Sequence, residues 1–108
     1  MPNLDQLLVA ISHQARRAIL ARLKKGPLLV TEIAAPFNLS LNAVSKHLKV
    51  LEAAGLVRRE RQGREHRIHL EPGALQRVAD WARGYEAYWS VQLDRLEEHF
   101  KPKPRSKP

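Results

Sequence analysis

The sequence predicts a mainly α chain with a small β-hairpin: a winged helix-turn-helix of about five helices plus a two-stranded wing. Three observations predict it. Short segments with apolar residues at helical spacing fill the first half, each bounded by capping residues. The segment from Leu41 to Ala54, bracketed by Ser40 and Gly55, is apolar on one face and polar on the other. A basic stretch, Gln62-Gly63-Arg64, and a second alternating stretch then read as a hairpin.

The elements follow in order. Leu4, Leu7, Leu8 and Ile11 share one face of a short first helix. Ser12 is placed to cap a second, in which Ala15, Ala18, Ile19 and Leu23 repeat until Gly26-Pro27 ends it. Thr31 is placed to cap a third, with Glu32 in its first turn and Ile33, Ala34 and Phe37 inward. Pro36 removes a backbone donor, so this helix should be short or distorted. In the fourth helix, successive steps of 100° turn Val44, Leu48 and Leu51 inward and Asn42, Lys46 and Lys49 outward, with Ser45 at the border. Gly55 should stop it as a left-handed cap, with Leu56 making the accompanying apolar contact. Strands are expected over about 56–61 and 65–70, where Ile68 and Leu70 alternate with Arg67 and His69. From Pro72 a long final helix should run to about Phe100, its stripe passing through Leu75, Val78, Ala82, Tyr85, Trp89, Leu93 and Leu96. Gly84 weakens it or marks a close helix crossing. Residues 1–101 are expected to form one DNA-binding and dimerisation domain, and 102–108 a disordered basic tail.

Composition narrows the function. The 19 Lys and Arg outnumber the 11 Asp and Glu, giving a net charge of +8 and a pI near 10.5, which suits a polyanion. The excess is uneven, since residues 71–100 are acidic on balance. Cysteine is absent, which excludes disulfides, thiolate metal sites and a cysteine nucleophile. Neither an apolar run of about 18 residues nor the apolar core of a signal peptide occurs, so a cytoplasmic protein without membrane attachment is expected. With no glycine-rich phosphate loop and no nucleophile and base motif, no enzyme and no cofactor is expected.

The chemistry lies in the fourth helix and the hairpin. Major-groove reading needs a rigid element with polar side chains outward and an apolar anchor inward, which the 41–54 segment provides. Asn42 suits adenine, Lys46 guanine or phosphate, Ser45 either class, and Lys49 phosphate. His47, between the faces, either donates to phosphate or covers the helix junction. Arg61, Arg64 and Arg67 suit the DNA backbone or minor groove, or else form a charged edge that resists aggregation. Double-stranded DNA is thus the expected partner. Asp94, Glu97, Glu98 and His99 read as a solvated helix face rather than metal ligands, and no zinc pattern links the histidines, so no metal site is expected. The apolar surplus of the last helix, with Tyr85, Trp89, Leu93 and Leu96, and the first helix, with Leu4, Leu7 and Leu8, points to a homodimer reading a near-palindromic operator. Two other functions fit the same fold: a metal- or ligand-responsive sensor with its effector site at the dimer interface, and a protein-interaction module.

The run from Ala43 to Val57, with Arg16-Arg-Ala-Ile-Leu before it and Gly63-Arg64 after it, resembles the ArsR/SmtB family of winged-helix repressors, over about residues 3–100. The resemblance implies that the fourth helix reads the major groove, the hairpin is the wing and the terminal helices make a homodimer. Many members release DNA when metal binds cysteines near the reading helix or Asp/His sets on the last helix. Here there is no cysteine and no paired-histidine spacing, while Trp81, Tyr85, Trp89 and Leu93-Asp-Arg-Leu-Glu resemble a cysteine-free, non-classical subgroup. The family's best-known switch is thereby removed.

Overall fold

The computed structural model describes residues 3–100. Its elements in chain order are α1 (Leu4–Ile11), α2 (Gln14–Leu23), β1 (Leu28–Leu29), α3 (Val30–Ala34), α4 (Leu41–Ala53), β2 (Val57–Gln62), β3 (Glu65–Leu70), α5 (Pro72–Arg83) and α6 (Glu86–Phe100). They fall into two compact units divided between Val78 and Ala79, inside α5. The tail expected over 102–108 lies outside the described residues.

The first unit has one core. Leu7 and Ala10 of α1, Ile19, Leu20 and Leu23 of α2, and Ile33 and Ala34 of α3 meet Val44, Leu48 and Leu51 of α4, with Leu56, Val57 and Ile68 from the strands. Ala74, Leu75 and Val78 of α5 pack against its edge. The wing is an antiparallel hairpin paired from Val57↔Leu70 through Gln62↔Glu65, its first strand one residue later than expected and its closing loop only Gly63 and Arg64. Positive φ at Gly63 and not at Arg64 matches the φ pattern of a type II′ turn, whose twist suits a hairpin.

Several boundaries differ from the sequence expectation. The sheet has three strands in the order β1-β3-β2, because Leu28 and Leu29 pair with Ile68 and Arg67. Two residues are too few to show alternation, so β1 left no pattern to read. The second helix is capped by His13, whose Nδ1 accepts from the Ala15 N–H at 3.1 Å, and not by Ser12. Ser12 instead closes α1, its hydroxyl donating to the Val9 carbonyl at 2.7 Å. For α3 the cap position is Leu29, not Thr31, and the Glu32 carboxylate accepts from the Leu29 N–H at 2.7 Å. It ends at Ala34, ahead of Pro36, as the missing donor dictates. The long final helix is two helices, six in all among the described residues. It breaks at Gly84 and Tyr85, where the Gly84 N–H is shared between the Asp80 and Trp81 carbonyls.

Candidate nucleic-acid interface

The candidate reading element is α4, and its ends are fixed by its own sequence. Ser40 Oγ accepts from the Ala43 N–H at 3.1 Å. At the other end Gly55 (φ 74) lets the Leu56 N–H reach the Leu51 carbonyl at 2.9 Å and the Gly55 N–H reach Glu52 at 3.0 Å, a Schellman closure with Leu51 and Leu56 both buried. Val44, Leu48 and Leu51 are fully buried, so α4 cannot rotate about its axis without opening the core. Its opposite face is thereby set: Asn42, Lys46 and Lys49 are exposed and Ser45 is half-buried.

On the wing, odd positions of β2 and even positions of β3 share one face. That face is apolar at its base, with Val57, Ile68 and Leu70, and polar toward the tip, with Arg59, Arg61 and His66. Arg59 ties the wing to α4: one guanidinium nitrogen lies 3.5 Å from Glu52 Oε1 and the other 3.2 Å from His66 Nδ1. Across the outer face Arg58 pairs with Glu71 at 3.0 Å, and His69 lies 2.9 Å from Glu60, whose carboxyl is held below its ordinary pKa first by that hydrogen bond. Arg67 sits half-buried on the central strand opposite Glu60, away from the tip where Arg61 and Arg64 are exposed. Among the described residues, Lys46, Lys49, Arg61 and Arg64 make no ion pair or hydrogen bond, in contrast to Arg58 and Arg59.

Ser45 and Arg64, 19 positions apart in the numbering of the chain, come together on a cleft of about 420 Å³ lined also by Leu29, Val30, Thr31, Arg59, Glu65 and His66. Sequence reasoning missed Thr31, Arg59 and His66. The alternation that placed Ile68 inward puts His66 on the same face, which was the available signal.

His47 is turned into a helix junction. Arg16 donates from Nε to the Ala10 carbonyl (2.6 Å) and from Nη2 to the Val9 carbonyl (3.1 Å), with Nη1 3.4 Å from His47 Nδ1. The His13 ring lies 4.6 Å from the His47 ring, centroid to centroid. Burial first, then the charges of His13 and Arg16, hold the His47 pKa below its ordinary value. Leu7, grouped in the sequence reading with side chains facing a partner, is fully buried in this chain's own core and presents no surface. Leu4 and Leu8 are half-buried, whereas Tyr85, Trp89, Leu93 and Leu96 are exposed, Tyr85 in the break before α6. Tyr85 packs edge-on against Trp81 at 5.6 Å. Among the described residues no helix is long and apolar enough to cross a membrane, and no three of His, Cys, Asp and Glu are grouped to hold a metal ion.

Comparison with known proteins gives consistent matches. A family profile described as a helix-turn-helix domain matches residues 11–60. The HTH-type transcriptional regulator Rv2034 of Mycobacterium tuberculosis is 39% identical over 89 residues, which cover 78% of this chain and 83% of that protein. The transcriptional repressor SdpR of Bacillus subtilis is 33% identical over 78 residues, covering 72% and 87%. Among solved structures, the crystal structure of an ArsR family transcriptional regulator superposes with a TM-score of 0.75 at 33% identity, over 81% of this chain and 96% of that one.

Proposed function

The chain belongs to the ArsR/SmtB family of helix-turn-helix transcriptional regulators, DNA-binding proteins and not enzymes, and we propose that it is a homodimeric repressor reading a near-palindromic operator with α4 and the wing. The carrying observation is that, among the described residues, Lys46 and Lys49 on α4 and Arg61 and Arg64 at the wing tip are exposed and make no hydrogen bond or ion pair, whereas Arg58 and Arg59 of the same wing are paired with Glu71 and Glu52. A cation left without a carboxylate on a fixed element is available to phosphate.

In this reading Asn42, Ser45 and Lys46 meet base edges, Lys49 meets phosphate, and Arg61, Arg64 and Arg67 meet backbone or minor groove. His47 stands at the edge of that surface, its ring engaged with Arg16. The dimer is proposed to use Tyr85, Trp89, Leu93 and Leu96 with Leu4 and Leu8, and residues 1–101 serve as one DNA-binding and dimerisation domain. The Bacillus relative is named a transcriptional repressor, which supports repression, and occupancy of a promoter is the mode proposed for it in this chain.

The test is a gel shift with DNA from upstream of the protein's own gene. Lys46→Ala and Arg64→Ala should each weaken binding without lowering the thermal midpoint, and each should reduce the slope of log affinity against log salt by up to about one. Unchanged affinity in both variants overturns the reading.

A further inference from the structure

We propose that the cleft between the wing and α4 is a seat for the DNA sugar–phosphate backbone, in which Thr31 and His66 donate to phosphate oxygens. This deepens the DNA-reading role given to α4 and the wing, and rests on it. The cleft joins three separate stretches of chain: Thr31 in α3, Ser45 on α4, and Arg59, Arg64 and His66 on the wing.

Its chemistry is that of an oxyanion site. A guanidinium only donates, so the 3.2 Å contact from Arg59 makes His66 Nδ1 the acceptor, and the neutral ring then carries its proton on Nε2. Among the described residues no group accepts from His66 Nε2, from the Thr31 or Ser45 hydroxyl, or from Arg64. Four donor groups without acceptors therefore line one cleft, against one acid, Glu65. Ser45 and His66 are half-buried and Thr31 and Arg64 exposed, so a ligand rich in acceptors can take the place of water on all four. The cleft, about 420 Å³, is open to solvent and has room for more than a single water. Arg59 is the positioning residue: it fixes the His66 tautomer, and through Glu52 it ties the wing to the last turn of α4.

The probes are two duplexes, one enriched by the wild-type protein from a random pool and one of the same composition with its order shuffled. A Thr31→Val/His66→Phe double variant should lose about a hundredfold in affinity for both, because backbone contacts carry no sequence information and each of the two hydrogen bonds to a charged group is worth about tenfold. Its salt slope should match the wild type, since neutral donors release no counterions, whereas Arg64→Ala should lower the slope by about one. Wild-type affinity of the double variant for both duplexes, while Asn42→Ala and Lys46→Ala still weaken the enriched one, overturns the seat alone. A loss confined to the enriched duplex also overturns it, by making these residues base readers. If Asn42→Ala and Lys46→Ala are themselves without effect, the role of α4 falls and the seat with it.

Discussion

His47 shows how one side chain on α4 can serve the fold. Arg16 gathers the last carbonyls of α1 and the His47 ring, so a single guanidinium joins α1, α2 and α4. The His47 pKa is depressed, so the folded chain favours the neutral ring while the unfolded chain takes up a proton near 6.5. Its stabilising contribution is complete above that value and is lost as pH falls below it, toward the folded-state pKa. Urea midpoints of the wild type should therefore fall as the pH drops through about 6.5, with a flatter profile for His47→Gln. Equal profiles would show that the junction does not set the dependence. A phosphate contact would act the other way, raising DNA affinity as the ring charges, so the two roles left open by the sequence separate by sign. The outward places of Asn42, Lys46 and Lys49 were legible because a 100° step needs only local spacing. The surroundings of His47 were not, because its partner Arg16 is 31 residues away and no local pattern joins them.

Caps at the level of elements divide in the same way. Ser40 and Gly55 were readable because both act on α4 through bonds within a few residues. Ser12 and Thr31 are good capping types that the chain uses otherwise, since the position of a cap is set by where the backbone leaves the helix, and that depends on packing. The break at Gly84 was visible as a weak point but not as an end. A stripe continuing from Leu75 to Trp89 hid the fact that Leu75 and Val78 pack on the core while Tyr85 and Trp89 are exposed. Gly55 makes the element scale testable. At φ 74 an alanine is strained, so Gly55→Ala should cost about 1 kcal/mol. In a chain of this size that lowers the thermal midpoint by about 4–8 °C. A midpoint within a degree of wild type would show that Leu56 and Leu51 hold the closure without the glycine.

Among the described residues of the whole molecule, most of the exposed large apolar side chains fall in the second unit. Lys46, Lys49, Arg61 and Arg64 are exposed on α4 and the wing, whereas Trp81, Tyr85, Tyr88, Trp89, Val91, Leu93 and Leu96 are exposed along the second unit. A run of large apolar side chains at roughly half exposure is a surface that association covers. Trp89→Ala should weaken self-association by about tenfold or more, read by sedimentation velocity over a dilution series. A variant that stays fully dimeric at low concentration would remove Trp89 from the interface. The class of the fold and the polar face of α4 were readable from the chain alone, because both are written in periodicity. The cleft at Thr31 and His66 was not, because it exists only where three distant stretches meet.

The tight closure of the wing gives it the character of a caliper. With only Gly63 and Arg64 between paired strands, there is no slack to absorb a change in strand length. An antiparallel strand rises about 3.4 Å per residue, close to the 3.4 Å step of one base along a DNA strand. One residue added to each arm would advance Arg64 by about one base step and turn the tip over, exchanging its faces. Two added to each arm would advance it by about two steps with its facing kept. Hairpins on this scaffold can thus change their reach in paired increments, and the distance from α4 to the wing tip is quantised accordingly.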